Sequence, residues 1–135
     1  LPFARSPTTV LAICMTLENL WIEGDKGHLN KLVRNLATNA LRHTPEGGTI
    51  TVSLIEQDGQ AILVVDNDGQ QIPDADLPRL WDPFYRVDKA RNRSDGGTGL
   101  GLTIVRAAVL AHGGTCEVEN RSGGVRFRVS LPCGK

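Results

Sequence analysis

Asn35, Asn39 and Arg42 stand at i, i+4 and i+7 in the stretch "NLATNALRH". In a helix that spacing puts the three side chains on one stripe. Asparagine is a poor helix former because its amide competes for backbone hydrogen bonds, so two of them in mid-helix are either solvated surface amides or parts of a site. An amide oxygen can ligate a hard cation such as Mg²⁺, which takes one or two protein ligands and completes its octahedron with water and phosphate oxygens. A second candidate is "RSDGGTGLGL", from Arg93 to Leu102, which is rich in glycine and runs straight into the helical pattern "TIVRAAVLAHGG". Unpaired N–H groups and the positive dipole end make a helix N-terminus an anion site, and glycines ahead of it let the backbone close on a phosphate without Cβ clashes. The same glycines would also suit an ordinary flexible connection. No Lys-Ser or Lys-Thr follows "GGTGLGL", so it is not a P-loop, and no buried parallel strand precedes it as in a dinucleotide fold. A third polar cluster, "DNDGQQIP" from Asp66 to Pro73, closes a β-rich run.

The elements that must position these residues follow from periodicity. "TTVLAICM" and "LWIE" read as short strands meeting at a polar turn, "TLEN", in a hairpin. Asp25 and Lys26 then precede a helix in which Leu29, Leu32, Val33, Leu36, Ala40 and Leu41 recur at helical spacing as one buried face, ended by Pro45 and the Gly47-Gly48 pair. "TITVSLIEQ" and "AILVVDN" are β-branched runs around a "DGQ" turn, an antiparallel hairpin. A short helical piece is expected near "DADLPRLWDPF", then a polar stretch without periodicity, then the glycine-rich helix start, and last two strands, "TCEVEN" and "VRFRVSLP", joined at "RSGG". This order predicts an α+β fold, a two-layer α/β sandwich whose mixed, mostly antiparallel sheet packs against about three helices.

Composition bounds the function. The chain has 135 residues, one domain's worth, with 40% apolar and 22% charged residues. Lys plus Arg number 15 and Asp plus Glu number 15, which argues against the basic surface that nucleic-acid phosphates require. No run of about 18 apolar residues and no secretory layout at the N-terminus point to a membrane contact. Cys14, Cys116 and Cys133 lack metal-type spacing and read as reduced thiols.

Taken in order, "NLATNALRHTP", "NDGQQIP", "LWDPFYRVD" and "GGTGLGL" resemble the N box, first glycine box, F box and second glycine box of the histidine-kinase catalytic and ATP-binding domain. That domain belongs to the Bergerat-fold superfamily of gyrase, chaperone, kinase and mismatch-repair ATPases. The resemblance covers nearly the whole chain, taken as one domain over residues 1–135. It implies Asn39 as the Mg²⁺ ligand, Asn35 as a catalytic residue orienting the reacting groups, and Arg42 as a phosphate contact. His43 would lie beside the adenine ring, and Asn67, Gly69 and Ile72 would belong to the base pocket with Leu102. Gly97, Thr98, Gly99, Leu100, Gly101 and Leu102 would form the phosphate cradle. Arg86 would approach the γ-phosphate, where a guanidinium stabilises charge on the equatorial oxygens. Tyr85 and Lys89 join the nucleotide-binding set, and a mobile ATP lid would span about 86–98, its hinge anchored by Trp81 and Phe84. ATP and Mg²⁺ are the implied ligands. The implied partners are a dimerisation and histidine-phosphoacceptor domain and, in the full system, a response-regulator receiver domain, within a parent protein anchored in the bacterial cell membrane with this domain in the cytoplasm.

Two features refine that reading. The position of Asn35 holds a Glu in the superfamily's water-activating ATPases, and an amide cannot serve as that general base; transfer to a neutral imidazole needs less help. His28, His43 and His112 lie inside the nucleotide domain and none sits in a phosphoacceptor motif, so the acceptor is expected on a separate domain. A same-fold anti-sigma serine/threonine kinase, an ATPase, or a degenerate module acting through protein contact are the alternatives. The first glycine box also departs from the family's Asp-x-Gly-x-Gly-Ile: Asn67 stands for the Asp, Gln71 for the second Gly, and Val125 replaces a Thr of the last strand. Weak ATP binding and relaxed adenine selectivity are the expected consequences, with Asp66 and Asp68 turned away from the pocket if Asn67 points in.

Overall fold

A computed structural model describes residues 12–17, 24–83, 85 and 101–133. Its elements are β1 (Ala12–Leu17), α1 (Lys26–His43), β2 (Thr49–Gln57), β3 (Gln60–Asp68), a 3-10 turn (Leu77–Arg79), α2 (Gly101–Ala111), β4 (Thr115–Arg121) and β5 (Gly124–Pro132). The strands form one sheet in the order β1-β2-β3-β5-β4. β1 runs parallel to β2, and the other three pairs are antiparallel, which is the mixed, mostly antiparallel sheet expected. Asp58 and Gly59, with φ of 54° and 78°, form the β2–β3 turn; two left-handed residues give a turn whose twist matches the strands.

Alternation along the strands sorts the two faces. Ile50, Val65, Val125, Phe127, Val129 and Leu131 turn toward the helices and meet Leu32, Leu36 and Ala40 of α1 and Val105, Ala108 and Val109 of α2. The opposite face carries Asp66, Arg126 and Glu119 in one cross-strand row and Arg128 beside Glu117 in the next.

Three expectations change. The N-terminal hairpin gives way to a strand that continues through Thr16 and Leu17, residues assigned to its turn, and pairs in parallel with β2; the "LWIE" half lies outside the described residues. The buried stripe of α1 is narrower than the apolar pattern: Val33 is 54% exposed and Leu41 41%. Leu32, Leu36 and Ala40 recur every four residues, and a step of one residue rotates a side chain by about 100°, off that stripe. The short helical piece expected near "DADLPRLWDPF" is, among the described residues, a single 3-10 turn, where Pro78 restricts the backbone.

α1 and α2 pack antiparallel, joined at one end by a polar contact. Asp25 caps α1 by accepting from the His28 N–H at 3.0 Å. Its own N–H donates to His112 Nε2 at 3.0 Å, while His112 Nδ1 stands 2.7 Å from the Ala108 carbonyl oxygen. A neutral ring with its proton on Nδ1 satisfies both.

Candidate functional site

At the other end of the helix pair, segments distant in sequence converge. Asn35 donates from Nδ2 to the Lys31 carbonyl oxygen at 2.8 Å, which leaves Oδ1 directed at the start of α2. A Cβ added at Gly101 would stand 3.2 Å from that Oδ1, so the first helical residue after "GGTGL" lies close against the asparagine stripe. Asn39, one turn further on, is half-buried; Arg42 and His43 are exposed at the end of α1. Gly69 has φ of 146°, and a Cβ there would fall 2.9 Å from the His43 carbonyl oxygen. The first glycine box therefore lies directly against the end of the N box. Ile72, Leu80, Trp81 and Leu102 pack at the border of the core.

Asn67 is 3% exposed and sits on the helix-facing row, between Ile50 of β2 and Val125 of β5. Its Nδ2 donates to the Asp68 carbonyl oxygen at 3.0 Å. A carbonyl neighbour must be met by the NH₂ end of an amide, so Oδ1 is the end left to accept, and one N–H of the NH₂ is engaged. Asp66 and Asp68 do turn away. The Arg121 guanidinium donates to both, with Nη2 at 2.9 Å from Asp68 Oδ1, and Arg126 Nε donates to Asp66 Oδ2 at 2.9 Å. Hydrogen bonds from Arg121 and from the Thr49 N–H hold the Asp68 carboxyl below the usual carboxylate range.

The flank leading toward the second glycine box is braced. Thr103, in the first turn of α2, donates its hydroxyl to the Trp81 carbonyl oxygen at 2.8 Å, and the Trp81 ring meets Phe127 edge-on at 5.9 Å. Tyr85 donates to Asp76 and lies beneath the Arg79 guanidinium, 4.6 Å from its ring centre. The Asp76 carboxylate accepting from it pushes the Tyr85 hydroxyl up. Arg86, Lys89, Gly97, Thr98, Gly99 and Leu100, with Phe84 and the lid, lie outside the described residues.

Sequence reasoning missed Asn120 and Thr103 as site neighbours. Asn120 Oδ1 accepts from the Ile72 N–H at 2.8 Å and its Nδ2 donates to the Ile72 carbonyl oxygen at 2.7 Å. The available signal was alternation: Cys116, Val118 and Asn120 share the helix-facing row of β4, and the polar one stands at the strand end.

Among the described residues no group of three His, Cys, Asp or Glu could hold a metal on protein ligands alone. The donor set at the convergence is instead neutral amide oxygen at a helix N-terminus, a combination suited to a hard cation that arrives with its own phosphate oxygens.

Fold and site together define a nucleotide-binding sandwich, and residues 24–135 match the family described as histidine kinase-, DNA gyrase B-, and HSP90-like ATPase. The chain belongs to that family. Among its relatives, the probable sensor kinase SilS of Salmonella typhimurium is 47% identical over 111 residues, which is 82% of this chain and 22% of SilS. The mycobacterial sensor histidine kinase MprB superposes with a TM-score of 0.82 at 32% identity, over 92% of this chain and 84% of that structure. Histidine kinase ThkA, solved with the response regulator protein TrrA, superposes with a TM-score of 0.73 at 27% identity, over 90% of this chain and 34% of that one. No helix among the described residues is long and apolar enough to cross a membrane.

Proposed function

We propose that the chain, over residues 1–135, is the catalytic and ATP-binding domain of a two-component sensor histidine kinase. It binds Mg²⁺-ATP between α1, the loop after β3 and the start of α2, with residues 86–98 as its lid. The observation that carries the reading is the convergence itself: Asn35 Oδ1 against Gly101, and Gly69 against the His43 carbonyl. Asn39 is the amide that would hold Mg²⁺, which when bound neutralises phosphate charge. Asn35 orients the reacting groups, Asn67 Oδ1 accepts from an exocyclic amine of the base, Ile72 and Leu102 wall the base, and Arg42, His43, Tyr85 and Lys89 border the nucleotide. Backbone N–H groups from Gly97 to Leu102 cradle the phosphates, and Arg86 meets the γ-phosphoryl group.

In the reaction a neutral imidazole nitrogen of the acceptor domain bonds to the γ-phosphorus as the bond to the bridging oxygen breaks. ADP leaves, and the ring's other nitrogen gives up its proton. Asn35 supplies no general base for water, which disfavours the ATPase alternative. The ThkA–TrrA complex supports a response regulator as the downstream partner, and the domain would face the cytoplasm within a membrane-anchored parent.

Calorimetric titration tests the reading. Asn39→Ala should weaken ATP binding in the presence of Mg²⁺ far more than in its absence. Equal affinities for the two proteins with Mg²⁺ present would remove Asn39 as the ligand, and a wild-type chain that binds no nucleotide would remove the function.

A further inference from the structure

One side chain meets both main-chain groups of Ile72, a residue in no strand or helix. The Asn120 amide accepts from the Ile72 N–H at 2.8 Å and donates to its carbonyl at 2.7 Å, as a neighbouring strand would. Two further bonds tie the same loop to the same hairpin: Gly69 N–H to the Gly123 carbonyl at 3.0 Å, and Gln71 Nε2 to the Arg121 carbonyl at 2.5 Å. Asn120 is also in register with Val125, and Val125 with Asn67. Asn67 and Ile72 are thus referenced to one row of the sheet, the first through the ladder and the second through Asn120.

We propose that Asn120 is a positioning residue of the nucleotide site, fixing where Ile72 stands relative to Asn67 and so setting the width of the base pocket. The inference rests on the reading of Ile72 and Asn67 as pocket residues. Asn120 reaches the nucleotide only through Ile72. The phosphates are assigned to the start of α2, where the Thr103 hydroxyl is bound to the Trp81 carbonyl oxygen, whereas both side-chain hydrogen bonds of Asn120 go to Ile72. Loss of the clamp therefore costs affinity on the base side and spares the phosphate side.

The experiment compares ATP with inorganic tripolyphosphate, which carries the phosphates and no base, in displacing a bound fluorescent nucleotide. Asn120→Ala should bind ATP about tenfold more weakly, the scale of two neutral hydrogen bonds partly replaced by water, and tripolyphosphate within about twofold of wild type. Unchanged ATP affinity overturns the proposal, and so does an equal loss for both ligands, which marks a structural role only. A second variant guards against an Asn120→Ala chain that does not fold. In Asn120→Asp a carboxylate accepts from the Ile72 N–H but repels the Ile72 carbonyl, whereas the protonated acid both accepts and donates. Its ATP affinity, as a ratio to wild type at the same pH, should rise as pH falls; a ratio independent of pH overturns the proposal. Failure of the wild type to bind ATP would instead refute the underlying reading of the site.

Discussion

Asn67 stands where the first glycine box that this sequence resembles would hold an Asp. Its amide lies between Ile50 and Val125 with its NH₂ held by the Asp68 carbonyl, so it offers a neutral acceptor to an exocyclic amine. Asn67→Asp should tighten ATP by roughly 1 kcal/mol, because a charged acceptor is stronger than a neutral one. The same substitution should lower the melting temperature of the unliganded chain, since it removes the bond to Asp68 and buries a charge among apolar neighbours. Calorimetry and thermal melts should therefore move in opposite directions. Asp66→Asn and Asp68→Asn should leave ATP affinity near wild type, because both side chains are held by Arg121 on the other face. Weaker ATP binding in Asp68→Asn, with none of the expected gain in Asn67→Asp, would reverse the assignment.

At the scale of elements, the helix pair is held at its far end by Asp25 and His112. The His28 N–H, and then the charge interaction with His28, hold the Asp25 carboxyl below its ordinary range. A carboxyl depressed in the folded state adds stability that is present above its unfolded pKa and lost as pH falls through the folded one. Melting temperature should accordingly fall on acidification below about pH 4, and Asp25→Asn, which keeps a capping oxygen without the charge, should show a smaller fall. An identical acid dependence in the two proteins would place the titration elsewhere, with Asp68 the next candidate, since its carboxyl is depressed in the same direction. Elements of this kind were legible wherever one physical signal dominated. β-branched runs around Asp58-Gly59 gave the central hairpin, and the leucine spacing gave α1. The errors fell where tertiary packing decides: Val33 and Leu41 carry the right residue type one step off the contact stripe, and β1 is fixed by a parallel partner more than thirty residues on, which no local turn signal reports.

Over the whole molecule, the four boxes were readable as strings, but the contacts between their described residues were not, because they depend on antiparallel helices bringing Asn35 to Gly101 while the sheet carries Gly69 to the end of α1. Alternation marked Asn120 as a polar residue on the helix-facing row, but its partner, like that of Thr103, is a main-chain group that only the folded chain brings near. That geometry also decides where a phosphoryl group can go. His28 and His112 meet at 6.4 Å at the end of the helix pair opposite Gly101, and α2, with 11 residues, holds them about 16 Å from its own N-terminus. His43 ends α1, on the border assigned to the base and not to the γ-phosphate. The chain alone should therefore acquire no acid-labile phosphate from ATP, and hydrolysis should be slow without a carboxylate at position 35. Supplied with a separate acceptor-helix domain, it should phosphorylate that domain in trans. Arg86→Ala should slow this transfer much more than it weakens ATP binding, because charge on the equatorial oxygens is what a guanidinium there would stabilise in the transition state. Radiolabel transfer from γ-labelled ATP, followed over time beside calorimetric affinities, separates the two effects. Label appearing on this chain alone would contradict the trans assignment, and an unchanged transfer rate in Arg86→Ala would remove the arginine from the reaction.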